Sequence, residues 1–127
     1  MYRESRSYYD VAGVSAEDVI DGMNLLHREG AAIKYLFRLN KVYPKGSIEE
    51  DLKKCRHYLS RCLMHRIPFV RDYNAGYWLC KINPDVFEED IYNAIYEILT
   101  AVGYPGANYD ECITRALEHV NHAIEKY

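Results

Sequence analysis

From position 48 the apolar residues recur as Ile48, Leu52, Cys55, Leu59, Cys62 and Leu63. Only an α-helix brings positions three and four apart onto one side, so this spacing rules out a strand. Directly before the run, Ser47-Ile-Glu-Glu50 reads as a capping box. The serine hydroxyl accepts an otherwise unpaired N–H of the first turn, and the glutamate reaches back to the cap. The helix is predicted to run to about Arg66, because Pro68 bars continuation soon after. Glu49/Lys53 and Glu50/Lys54 add i, i+4 pairs in the favourable order.

The same pattern recurs along the chain. Ser15-Ala-Glu-Asp18 starts a helix of about three turns, with Val19, Ile20, Met23 and Leu26 inward and Gly30 closing it as a C-cap. Ala31–Val42 is predicted to be helical again, with Ile33, Leu36 and Phe37 inward, and Tyr43-Pro-Lys-Gly46 turns the chain. Asn83-Pro84 reads as an N-cap followed by proline at the first helical position, opening a helix to Val102 that Gly103 ends. Asn108-Tyr-Asp-Glu111 caps a last helix with Ile113, Ala116, Leu117, Val120 and Ile124 inward. Residues 1–14, with Tyr2, Tyr8 and Tyr9, carry no period and read as an irregular arm. Residues 67–82 exceed the usual connection length, so they should be functional or hold a short element. The expected fold is an all-α bundle of four to five helices. Residues 1–66 form a helical core, and residues 67–127 a long loop plus a C-terminal helical hairpin, packed as one domain.

A chain of 127 residues with 28% charged residues fits one globular domain. It has no apolar run long enough to span a membrane and no apolar segment near its start to act as a signal peptide. The four cysteines, Cys55, Cys62, Cys80 and Cys112, need not pair in a chain able to bury its own core. Cys55 and Cys62 read as small core residues, with a half metal site at Cys62-x-x-His65 as the alternative. A reducing cytoplasm is the expected location, with no membrane partner. The net charge of −3 hides a split. Residues 1–66 hold 12 Lys/Arg against 9 Asp/Glu, and residues 67–127 hold 4 against 10. That disfavours nucleic acid as a partner but leaves room for an anion site in the first half.

Phosphate-loop, dinucleotide-loop, zinc-protease and hydrolase-elbow motifs are absent from the sequence. The histidines His27, His57, His65, His119 and His122 have no evident nucleophile partner and read as solvent-facing or satisfied. Three groups of residues could carry chemistry. Lys34, Arg38 and Lys41 share one helical side beside Gly30, where lysines and an arginine can receive a phosphate; a solvated helix face is the plain alternative. The carboxylates Glu17, Asp21 and Asp51 could hold a divalent cation or orient basic side chains, or serve as caps and surface charge. Thirteen tyrosines against three phenylalanines suit either base stacking or packing at interfaces. Of these, Tyr35 and Tyr58 fall at the core edge.

Read in order, four blocks resemble a small phage protein family that includes the phage early-gene nucleotide kinase. They are Tyr8-Tyr9, Glu17-Asp-Val-Ile-Asp21, Gly30-Ala-Ala-Ile-Lys-Tyr-Leu-Phe-Arg38 and Glu50-Asp-Leu-Lys-Lys-Cys-Arg-His-Tyr-Leu59. The resemblance covers about residues 8–65; Ala31 stands where the family usually has Asn, and Tyr8 where it has His. It implies a nucleotide kinase-like enzyme that acts on (deoxy)nucleoside monophosphates without a phosphate loop. Lys34, Arg38 and Lys54 would then be phosphate ligands, with Gly30 and Lys41 beside them. Asp21 and Asp51 would be the orienting or general-base carboxylates of catalysis, and Tyr35 and Tyr58 would line the pocket. No metal ligand set is assigned; Mg2+ is the one cofactor such chemistry would call on. Two other activities fit parts of the pattern. One is a non-catalytic phage sponge that sequesters a host immune nucleotide signal. The other is all-α nucleoside triphosphate pyrophosphohydrolysis on helical carboxylates. A homo-oligomer is expected, since small helical domains build sites between helices or subunits.

Overall fold

The computed structural model describes residues 12–42, 46–64 and 73–127. Most of the expected N-terminal arm, the Tyr43–Lys45 part of the turn, His65, Arg66 and residues 67–72 lie outside the described residues. The described residues form six α-helices and one 3-10 turn, with no strand, so the protein is an all-α bundle.

Helix α1 spans Ala16–Gly22, and the Ser15 hydroxyl accepts the Asp18 N–H at 3.0 Å, as its cap sequence predicts. It is shorter than the three turns expected. Asn24 adopts a left-handed φ of 53°. The Asn24 N–H bonds to the Asp21 carbonyl at 3.3 Å and the Leu25 N–H to the Ile20 carbonyl at 3.0 Å. This pair of bonds is a Schellman closure with asparagine in the position glycine usually takes. Helix α2, His27–Phe37, therefore starts before Gly30 instead of after it. Gly30 is not a C-cap; it is buried within α2. A Cβ there would stand 3.3 Å from Ile20 Cγ2, so the missing side chain lets α1 close on α2.

The predicted helix to Val42 also ends early, at Phe37. The Asn40 amide donates to the Phe37 carbonyl at 3.0 Å and its oxygen accepts the Val42 N–H at 3.0 Å. That local ring offers the backbone a turn in place of another helical step. The Lys41 N–H then bonds across to the Val86 carbonyl at 2.7 Å.

Helix α3 spans Ile48–Met64. The Ser47 hydroxyl accepts the Glu50 N–H at 3.3 Å and Lys53 pairs with Glu49 at 3.0 Å. Within the long segment 67–82 the described part carries a short helix, α4, Ala75–Leu79. Asn83-Pro84 opens only the 3-10 turn Pro84–Val86, because Phe87 is extended (φ −119°, ψ 147°). The Glu88 carboxylate then caps α5, Glu89–Gly103, by accepting the Asp90 N–H at 3.3 Å. The Asn108 side chain caps α6, Tyr109–Glu125, at 3.0 Å, as expected.

Helices α5 and α6 make the most extensive contact and α2 with α3 the next, and α3 packs on α6 to join the pairs. One continuous core results, with Ile33, Leu36, Leu52, Leu59, Ile95, Ile98, Leu99, Ile113 and Val120 fully buried. Each such side chain contributes about 1.5–3 kcal/mol by leaving water. Cys55 and Cys62 are buried in it, as read from sequence, and all four cysteines are free thiols. No helix among the described residues is long and apolar enough to cross a membrane.

Candidate functional site

Because α2 begins at His27, one of its sides presents His27, Gly30, Ala31, Lys34 and Tyr35 at spacings of three, four and seven. These residues, with Ile20 of α1, Leu25 and Leu26 of the connection, and Tyr58 of α3, line a groove of about 320 Å3. That volume is at the lower end of the roughly 300–1,000 Å3 of small-molecule sites. The walls are apolar and aromatic; the polar groups converging on it are Lys34, His27 and the two tyrosines.

The aromatic side is organised around Tyr58. Its ring lies parallel to that of Tyr35 (centroids 6.2 Å apart, 13° between planes). His27 and His57 meet it in T-shaped contacts at 5.8 and 5.2 Å. Lys54 Nζ stands 5.5 Å from the centroid of the Tyr35 ring, near enough for a cation–π attraction. The packing of α2 on α3 thus places two lysines beside two tyrosines.

Of the expected site residues, Gly30, Lys34, Tyr35 and Tyr58 line the groove, and Lys54 stands next to it against the Tyr35 ring. Arg38 and Asp51 come together elsewhere. Arg38 follows the last residue of α2, and its Nε bonds to Asp51 Oδ2 at 3.0 Å in the first turn of α3. The Asp51 side chain is 3% exposed and the Arg38 side chain 28%. Gly46 makes room for this pair: its φ is +66°, and a Cβ there would stand 2.6 Å from Arg38 Nη2. The expected three-cation stripe is not formed, since α2 ends at Phe37 and Lys41 lies beyond it, exposed. Asp21 and Glu17 are exposed on α1 and are not part of the groove lining. Among the described residues no group of three or more His, Cys, Asp or Glu side chains is arranged to hold a metal ion.

A helix start after Gly30 leaves His27 off the α2 face, so the sequence pattern alone does not mark it as a site residue. With Asn24 read as a left-handed stop, the face His27/Gly30/Lys34 follows from helical spacing alone. Comparison with family models, curated proteins and solved structures returns no match to this chain.

Proposed function

We propose that the chain is a nucleotide-binding protein whose ligand lies in the groove between α1, α2 and α3. The observation that carries this reading is the convergence of Lys34 and Lys54 on the Tyr35/Tyr58 pair. A tyrosine face can stack on a base while ammonium groups neutralise a phosphate. The groove is of a size to take one mononucleotide.

Two activities share this binding step. The sequence blocks favour a nucleotide kinase-like transfer to (deoxy)nucleoside monophosphates. The geometry favours non-catalytic binding, the mode of a nucleotide sponge, since the lining contributes Lys34 and aromatics, Lys54 stands against the Tyr35 ring, and Asp51 is engaged with Arg38.

The test is a panel of nucleoside mono-, di- and triphosphates read by thermal shift and by product chromatography with a triphosphate donor. Binding should raise the melting temperature, and a Lys34→Ala, Lys54→Ala double variant should weaken it about tenfold. Conversion of a monophosphate to a diphosphate selects the kinase, and stabilisation without turnover selects the binder. A flat response across the panel overturns the proposal.

A further inference from the structure

Glu29 is a buried carboxylate (1% exposed) that is not part of the groove lining but sits next in sequence to residues that line it. One oxygen accepts the Leu26 N–H at 2.9 Å and the other accepts the Tyr109 O–H at 2.6 Å. Tyr109 is the first residue of α6, eighty positions away in the chain. Burial and the neighbouring Glu29 carboxylate push the Tyr109 phenol well above its ordinary range, so it stays a proton donor. The Cys62 thiol of α3 contacts the same hydroxyl. The carboxylate therefore ties the first turn of α2 to the first turn of α6. Leu26, His27, Gly30 and Ala31 of that α2 turn and its approach are groove residues.

We infer that Glu29 and Tyr109 are positioning residues for the groove, holding the Leu26–Ala31 wall at the separation from Tyr58 that a nucleotide needs. The inference rests on the groove being the nucleotide site. A short O–H···O⁻ bond has a narrow preferred geometry and about twice the strength of a neutral one. Without the hydroxyl, the carboxylate keeps the Leu26 N–H but loses its anchor on α6. The wall then drifts relative to Tyr58, and part of the binding free energy is used in restoring it.

The experiment titrates wild-type protein, Tyr109→Phe and Glu29→Gln with dAMP, dCMP, dGMP and dTMP by calorimetry. It also records the amide signals of Leu26–Ala31 without nucleotide. Ile113→Val, which trims a fully buried α6 side chain away from the groove, is the control for a purely structural loss. Tyr109→Phe should raise Kd about five- to tenfold and shift the Leu26 and His27 amides. Glu29→Gln, which keeps an acceptor, should fall between it and wild type, and Ile113→Val should melt lower with Kd unchanged. Wild-type binding with Kd in Tyr109→Phe within twofold of it overturns the positioning role alone. Wild-type protein that binds none of the four, nor any nucleoside mono-, di- or triphosphate of the wider panel, overturns both this role and the groove reading.

Discussion

Asp51→Asn separates two roles that one carboxylate could play. In the structure its oxygen accepts from Arg38 Nε at 3.0 Å while the side chain is nearly buried. A hydrogen bond to a charged group contributes about 1.5–3 kcal/mol. Asn can still accept through its amide oxygen, and solvent reaches the 28%-exposed Arg38 side chain, so the net loss is about 1–2 kcal/mol. For a chain of 127 residues, unfolding entropy of about 2.1 cal/mol/K per residue turns that into a drop of roughly 4–8 °C in Tm. Arg38→Ala should cost more than Asp51→Asn, because it leaves a buried carboxylate without its cation. Scanning calorimetry reads the drop, and a nucleotide titration on the same samples reads the site. Asp51 lies outside the groove lining, so affinity should stay within about threefold of wild type, well under the tenfold that 1.4 kcal/mol represents. A variant that melts like wild type yet loses turnover or binding would show that Asp51 acts on the ligand and that the Arg38 pair is incidental.

Gly22→Ala should strain the α1–α4 contact, since a Cβ there would stand 2.0 Å from Trp78 Cζ2. Overpacking of this kind costs about 1–3 kcal/mol. Trp78 is the only tryptophan, so a red-shifted emission alongside the lower Tm checks the displacement directly; an unchanged spectrum contradicts it. Asp90→Asn should destabilise in a pH-dependent way. Burial raises the Asp90 pKa, but hydrogen bonds from Lys126, His122 and His119 outweigh it and hold the carboxyl below its ordinary value. A lowered folded-state pKa contributes stability above the unfolded value of about 3.9 and loses it as pH falls through the folded value. The variant should therefore melt a few degrees below wild type at pH 6, and the gap should begin to narrow as pH falls below about 4 and go on narrowing through the lower folded value. A gap that stays constant as pH is lowered from 6 through and below the unfolded value refutes the ionic origin.

How much of this was readable in advance depends on the range of each interaction. The caps at Ser15, Ser47 and Asn108 were legible because a side chain bonds an N–H three residues on. The two misplaced boundaries of α1 and α2 have local causes as well, but ones that compete with stronger-looking signals. Gly30 draws attention as a stop, while the stop is Asn24, in a conformation asparagine tolerates better than most residues. Asn83-Pro84 fits a helix start, yet the extended Phe87 limits it to a single 3-10 turn.

The site was legible only in part, because its pairings cross elements. Tyr35 and Tyr58 each read as core-edge residues from their own helix, but nothing local specifies that their rings lie parallel at 6.2 Å. Arg38 and Asp51 can meet because Gly46, in a left-handed conformation just before α3, leaves room for the guanidinium. That same meeting removes Arg38 from the stripe it was expected to share with Lys34 and Lys41. The basic excess of the first half therefore divides: Arg38 joins two helix ends, Lys41 stands beyond α2, and Lys34 and Lys54 face the tyrosines. A ligand drawn to the groove would meet the exposed ammonium groups of Lys34 and, beside Tyr35, Lys54 in place of a guanidinium fork. Raising salt from about 0.05 to 0.5 M should accordingly weaken nucleotide binding steeply, as exposed point charges are screened within a few ångströms at the higher value. Affinity that is flat across that range would mean the lysines do not carry the phosphate, and the aromatic wall alone would be left to hold the ligand.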